Sequence, residues 1–205
     1  MKMRGIDVSK WQGKIDFKQV KAAGIDFVII RAGYGRDGKD KCFEANYEGA
    51  KAAGLHVGAY WYSYAMSVAD AEQEAVRCIQ TLKGKQFDFP VYFDVEEKKQ
   101  FQKGKVFCDS IITTFCTALE RAGYFAGLYM STSYLHDFVS ESVRKRFTIW
   151  VAQYAKACKY GGDYGIWQYS SKGRIGGIKG DVDLDEAYTN FPSIIVPRGF
   201  NGYKG

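Results

Sequence analysis

The chain is poor in the residues that usually announce metal, nucleophile or redox chemistry. It has two histidines, His56 and His136, at unrelated positions, so neither a metal site nor a Ser-His-Asp triad can be assembled, and no cofactor is expected. Five cysteines (Cys42, Cys78, Cys108, Cys116, Cys158) form an odd set without a CxxC pair, which argues against a zinc knuckle and against a disulfide framework. Cys108 and Cys116 share one expected helix about 12 Å apart along its axis, too far to bridge. Free thiols from a reducing compartment are the expectation. No stretch approaches the roughly 18 consecutive apolar residues of a membrane helix. The start, Met1-Lys2-Met3-Arg4, runs into fold-like sequence without an apolar signal segment. The net charge of +6 comes from scattered lysines, which argues against a nucleic-acid partner. With 3 prolines and 46% apolar residues over 205 positions, one globular domain with one core is expected.

What the chain does have is a repeat of small residues and glycine. Lys21-Ala22-Ala23-Gly24, Lys51-Ala52-Ala53-Gly54 and Arg121-Ala122-Gly123 each close a helical stretch, and a β-rich run follows each time. Glycine just past the last helical residue explains the stop. A further helix over 68–83 ends at Gly84 before another such run, giving the alternation of parallel βαβ units. Strands are expected at 4–8, 26–32, 56–64, 89–96, 124–130, 147–153, 164–169 and 181–184. Eight parallel strands point to a closed α/β barrel. The last three are joined by glycine-rich connections too short for full helices, so the outer helical ring is expected to be incomplete. A doubly wound open sheet is the structural alternative.

In such barrels chemistry sits at the C-terminal strand ends. Asp7, Arg31, Asp94, Glu96, Gln153, Gln168 and Asp183 all fall at expected strand ends. The sharpest element is Pro90-Val91-Tyr92-Phe93-Asp94-Val95-Glu96-Glu97. Two carboxylates two residues apart on a strand face the same side, with Cα atoms about 6.6 Å apart. Like charges placed together raise one pKa and leave the other group ionised, the division of labour that protonates a leaving oxygen while stabilising positive charge. Glu96 and Glu97 opening a solvated loop is the bland alternative.

Four segments, Gly5-Ile6-Asp7-Val8-Ser9-Lys10-Trp11-Gln12-Gly13, Asp94-Val95-Glu96, Trp167-Gln168-Tyr169-Ser170 and Gly180-Asp181-Val182-Asp183-Leu184-Asp185, occur in the order and spacing of glycoside hydrolase family 25. The resemblance covers residues 4–191. It implies a flattened TIM-like barrel, (β/α)5(β)3, and a lysozyme (N-acetylmuramidase) that hydrolyses the β-1,4 bond between N-acetylmuramic acid and N-acetylglucosamine in bacterial peptidoglycan. Carried over by motif, Glu96 resembles the general acid, Asp94 the carboxylate beside the reacting sugar, and Asp7 and Asp183 the other acids of the floor. Tyr62 resembles the tyrosine that contacts the substrate acetamido group. Asp181 and Asp185 are expected as surface acids. The family precedent for such a DxE strand is attack by the substrate's own acetamido oxygen with net retention; Asp7 or Asp183 as a direct nucleophile competes with it.

Aromatic residues make up 16% of the chain, and flat apolar faces suit pyranose rings. Tyr34, Tyr60 and Trp150 join Tyr62 as expected sugar contacts, with Gln168 as a polar one. Arg31-Ala32-Gly33-Tyr34-Gly35-Arg36-Asp37-Gly38 lacks the Lys-Ser/Thr of a phosphate loop and the order of a dinucleotide site; the role of Arg31 stays open. Residues 1–192 are expected to form the catalytic domain and 193–205 a tail or linker. A monomer acting on the cell wall is expected, with two alternatives: a catalytically silent wall-binding module, or a related barrel hydrolase acting on chitin-like glycans.

Overall fold

The computed structural model describes residues 2–36 and 38–204; Met1, Asp37 of the glycine-rich loop and Gly205 of the expected tail lie outside the described residues. In chain order the elements are β1 (Met3–Val8), α1 (Phe17–Ala22), β2 (Phe27–Tyr34), β3 (Gly38–Lys39), α2 (Phe43–Ala52), β4 (His56–Tyr62), α3 (Val68–Leu82), β5 (Val91–Asp94), α4 (Lys98–Phe101), α5 (Lys105–Arg121), β6 (Ala126–Ser131), α6 (Thr132–Phe138), α7 (Glu141–Arg146), β7 (Thr148–Ala152), β8 (Ile166–Gly173), β9 (Val182–Ala187) and α8 (Pro192–Ile195). The sheet runs β1-β9-β8-β7-β6-β5-β4-β2-β3, and β1 also pairs with β2, which closes eight strands into a barrel with β3 as an appendage. Gly24 and Gly54 stop α1 and α2 with φ of 80° and 71°, as the repeat predicts.

The structure corrects two expectations about strands. Seven strands of the barrel are parallel, but β9 runs antiparallel to both β1 and β8. The connection from Gly173 to Val182 is a short turn, and only an antiparallel neighbour can be reached without a crossover. The mouth therefore receives the beginning of β9, not its end. The fifth strand is also shorter than expected, stopping at Asp94; Glu96 stands on the segment that leaves it toward α4.

Period-two alternation sorts the side chains into two shells. Val28, Ile30, Val57, Trp61, Phe93, Leu128 and Val151 face outward into the layer of helices. The inward residues form a second cluster at the barrel's lower end, built on Phe27, Ile29, Phe89, Tyr92, Trp150 and Ile166. Small residues make room for the rings: a Cβ on Gly5 would lie 2.1 Å from Cζ of Phe27, and one on Gly127 would lie 2.5 Å from Tyr92. Moving toward the mouth, each inward row turns polar: Phe27 and Ile29 give way to Arg31, Tyr92 to Asp94, and Ile166 to Gln168. β9 reads the same gradient backwards, Asp183 and Asp185 before Ala187.

The expected tail is instead part of the barrel's base. Phe191 and Ile195 pack into the inner cluster, and Asn201 is fully buried. Its Nδ2 donates to the carbonyls of Phe87 (3.1 Å) and Phe89 (2.8 Å), and its Oδ1 accepts the N–H of Phe125 at 2.7 Å. With φ of 55° it occupies the left-handed region that asparagine tolerates better than most residues. Replacing Asn201 by Ala strands two buried carbonyls and one N–H, each worth about 1–3 kcal/mol. Urea unfolding of Asn201→Ala should therefore show a loss of about 3 kcal/mol or more; a loss under about 1 kcal/mol would mean this segment is not holding the base.

Candidate active site

At the mouth the inward side chains line a cavity of about 280 Å³. The structure gathers Asp7, Asp94, Glu96, Asp183, Tyr60, Tyr62, Trp150 and Gln168 there, eight of the nine residues expected from sequence. Tyr34 is not among the cavity residues; its ring meets Tyr64 edge-on at 6.4 Å and lies beneath the Lys10 ammonium at 5.3 Å. Trp150 and Tyr60 are floor residues, 1% and 8% exposed, so they shape the cavity from below. The most exposed aromatic at the rim is Trp11, at 76%, a residue within the first motif that had no role assigned. Tyr154, on the segment after β7, and Tyr129 of β6 complete the aromatic wall.

The β1–β9 pairing sets Asp7 opposite Asp183. Asp185, one strand repeat deeper on the same face, is fully buried, which corrects its expected place on the surface. Its Oδ1 accepts the indole N–H of Trp150 at 2.8 Å, while Oδ2 has no donor among the described residues and Asp7 lies alongside. Burial first, then Asp185 and Asp183, push the Asp7 pKa well above the carboxylate range; burial does the same to Asp185, against the Trp150 bond. Asp183, mainly through burial, is raised to about 6. Asp181 is the surface acid, paired with Arg174 at 2.9 Å.

Gln168 ties this floor together. Its Nε2 donates to Asp7 Oδ2 at 2.7 Å, and its Oε1 accepts from the hydroxyls of Tyr129 (2.9 Å) and Tyr154 (3.1 Å). Arg31, whose role sequence left open, is buried and clamped by Asp40: Nε and Nη2 both lie 2.8 Å from Asp40 Oδ2. It is the one cation lining the cavity among the described residues.

Asp94 is buried, and its Oδ1 has no hydrogen-bond partner among the described residues. Burial, followed by Glu96, drives its pKa well up, with Arg31 pulling the other way. Glu96 is open to solvent by surface area yet stands between protein walls that displace bulk water; this desolvation raises its pKa, the Tyr62 hydroxyl within its reach pulls the other way, and Glu97 and Asp183 add smaller upward pushes. Both members of the pair are thus pressed toward their neutral forms. The sequence-based division, with Asp94 ionised, needs something in the groove to favour the Asp94 charge. Glu97, unassigned from sequence, accepts the Tyr62 hydroxyl at 2.8 Å.

The raised floor acids make stability depend on pH with a definite sign. A carboxyl raised in the folded state favours the fold fully below about pH 4, and that contribution is lost as pH climbs through its folded pKa. Asp185→Asn keeps the acceptor for Trp150 and removes one buried ionisable group. Its stability at pH 7 should exceed the wild type's by about 1 kcal/mol, with a flatter decline between pH 5 and 8 in denaturant titrations. Equal pH slopes in the two proteins would refute a raised Asp185 carboxyl.

Comparison with known proteins places this arrangement. The family model for glycosyl hydrolases family 25 matches residues 6–178, a stretch that holds Asp7, Asp94 and Glu96. The autolytic lysozyme of Clostridium acetobutylicum is 32% identical over 185 residues, covering 90% of this chain and 55% of its own length. The crystal structure of the bacterial lysozyme from Streptomyces coelicolor superimposes with a TM-score of 0.80 at 27% identity, covering 91% of this chain and 92% of that one. The modular autolysin LytC from Streptococcus pneumoniae, solved with a synthetic peptidoglycan ligand, gives 0.82 at 29% identity over 91% of this chain and 47% of its own. This chain spans about half the length of two of these three relatives. A match that runs through most of the barrel and carries its acid-lined mouth makes this chain a member of glycosyl hydrolase family 25.

Proposed function

We propose that this chain is a lysozyme, cleaving the β-1,4 bond between N-acetylmuramic acid and N-acetylglucosamine in bacterial peptidoglycan. The observation that carries the reading is Asp94: a buried carboxyl with an unpartnered oxygen facing a groove, beside a second carboxyl raised toward its acid form. A 2-acetamido N–H of a bound sugar supplies the donor that Oδ1 lacks. Its lysozyme and autolysin relatives favour the wall as substrate over chitin-like glycans.

In this mechanism the acetamido carbonyl oxygen attacks the anomeric carbon. The bond to the leaving O4 breaks, and Glu96 hands its proton to that oxygen. The cyclic oxazolinium carries positive charge, so ionised Asp94 is favoured at this point more than before the attack, which is the differential that lowers the barrier. Glu96, now a carboxylate, takes a proton from water as the water opens the ring, and configuration is retained. Direct attack by Asp7 is disfavoured, since burial and Asp185 hold it toward the neutral, poorly nucleophilic form. A silent binder would have no use for two acids held near their neutral forms. The protein is proposed to work as a monomer on the cell wall; among the described residues no helix is long and apolar enough to cross a membrane.

Glu96→Gln should retain fold and wall binding while losing about 10²- to 10⁴-fold in turnover. Wild-type digests should release muropeptides with new reducing-end muramic acid; a variant keeping more than half the rate would remove Glu96 from the role. Walls de-N-acetylated at muramic acid should bind but stay nearly uncut. Brisk cleavage of them, or a glycosyl ester trapped on Asp7 or Asp183 and seen by mass spectrometry, would return the nucleophile to an aspartate.

A further inference from the structure

The Tyr62 hydroxyl stands between two carboxyls and has one proton to give. Glu96 and Glu97 both lie within its reach, and the 2.8 Å bond runs to Glu97 Oε1. Tyr62 ends β4 and Glu97 follows β5, so their contact depends on how the two strand ends are fastened together. The fastening is built in. Ser63 N donates to the Asp94 carbonyl at 2.9 Å. Gln100 of α4, fully buried, donates through Nε2 to Ser63 Oγ (3.0 Å) and to the Ala65 carbonyl (3.1 Å). Its Oε1 accepts the backbone N–H of Glu97 at 3.3 Å. One buried amide thus fixes the segment carrying the phenol and the segment carrying both glutamates.

We propose that Glu97 is a positioning residue that acts through Tyr62: it takes the phenolic proton, so the hydroxyl beside Glu96 is aimed away from the acid until Glu96 has given up its own proton. A hydroxyl donated to Glu96 would stabilise the carboxylate and weaken the acid before the reaction. Turned toward Glu97 at 2.8 Å, it gives Glu96 only part of that stabilisation, and the negative charge of Glu97 next door disfavours a second charge on Glu96. Once the leaving oxygen has been protonated, Glu96 is itself an anion, and rotation of one phenolic O–H lets it accept the bond that Glu97 held. The same hydroxyl then orients Glu96 as the base of the water step.

The groups facing Glu96 are Tyr62 from β4, Asp94 from β5, Tyr129 from β6, Tyr154 from the segment after β7, Asp183 from β9 and Glu97 from its own segment, with Arg31 of β2 in the same cavity. The Tyr129 and Tyr154 hydroxyls are held by Gln168 Oε1, whereas the Tyr62 hydroxyl is bonded to a carboxylate beside Glu96, between which and Glu96 it can be switched. Removing Glu97 and removing Tyr62 should therefore move the acid in opposite directions.

The inference rests on Glu96 as the acid, and kinetics of the wild type and Glu96→Gln run alongside keep the two claims apart. A Glu96→Gln enzyme of undiminished rate overturns that reading on its own. With Glu96 established, kcat and KM are followed against pH on a soluble peptidoglycan fragment for the wild type, Glu97→Gln, Tyr62→Phe and the double variant, each with its melting temperature. The expected result is an alkaline limb displaced to lower pH in Glu97→Gln and to higher pH in Tyr62→Phe, with KM little changed in Glu97→Gln. In the double variant the displacement caused by Glu97→Gln should shrink, because the hydroxyl that carries it is gone. A limb unmoved in a folded Glu97→Gln, or an equal displacement with and without Tyr62, overturns the proposal. Should Glu97→Gln fail to fold, Tyr62→Phe decides: a limb moved to lower pH refutes the withheld proton, and one moved to higher pH supports it.

Discussion

Several carboxyls share one poorly hydrated mouth, and they cannot all be charged at once. An ionised carboxylate taken out of water costs several kcal/mol unless it is paired, and the neighbours here are mostly other carboxyls. Asp7, Asp94, Asp183, Asp185 and Glu96 are all pushed toward their neutral forms, with burial the leading cause in each case. The surrounding polar groups manage this tension: Gln168 on Asp7, Trp150 on Asp185, and the clamped Arg31 guanidinium near Asp94. A site built so holds protons ready for transfer and gains most from a substrate that brings both a donor and a developing positive charge.

The barrel makes this crowding possible through two plain geometric facts. Inward rows are apolar below and polar above, so the acids rest on Trp150, Tyr92 and Phe27 rather than on water. The last strand is reversed, so two of its acids, spaced by one repeat, enter the mouth beside Asp7. A parallel eighth strand would have directed its start to the base, where Phe191 and Ile195 now sit.

Much of this was legible beforehand. Gly24, Gly54 and Gly123 punctuate the helices because a local backbone requirement is written in a local residue. The spacing of Asp94 and Glu96 drew attention to the pair, and both line the mouth, although Glu96 stands beyond the end of β5 and not on its face. The direction of β9 was also within reach, since the stretch between Gly173 and Val182 is too short for a crossover, unlike the longer helix-free stretch that joins the parallel β7 and β8, and with that reversal the alternation Asp181, Asp183, Asp185 would have drawn Asp185 inward. Other features had no local signal. The burial of Asn201 depends on the carbonyls of Phe87 and Phe89, more than a hundred residues away. Glu97 offered only its spacing to Gln100, and its bond to Tyr62 exists because a different loop delivers the phenol.

The closing of β1 against β9 has a consequence for when the enzyme acquires its chemistry. Asp7 and the Gln168 that orients it are 161 residues apart along the chain, and Asp183 and Asp185 are farther still. Contacts of such high sequence separation form late, after the local helix and strand units have gathered. A partly folded or nascent chain therefore possesses every acid while each remains hydrated and ordinary. For Asp7, Asp183 and Asp185 the crowded, poorly hydrated setting is a property of the completed ring, and the seam between the first and last strands is the assembly step that creates it.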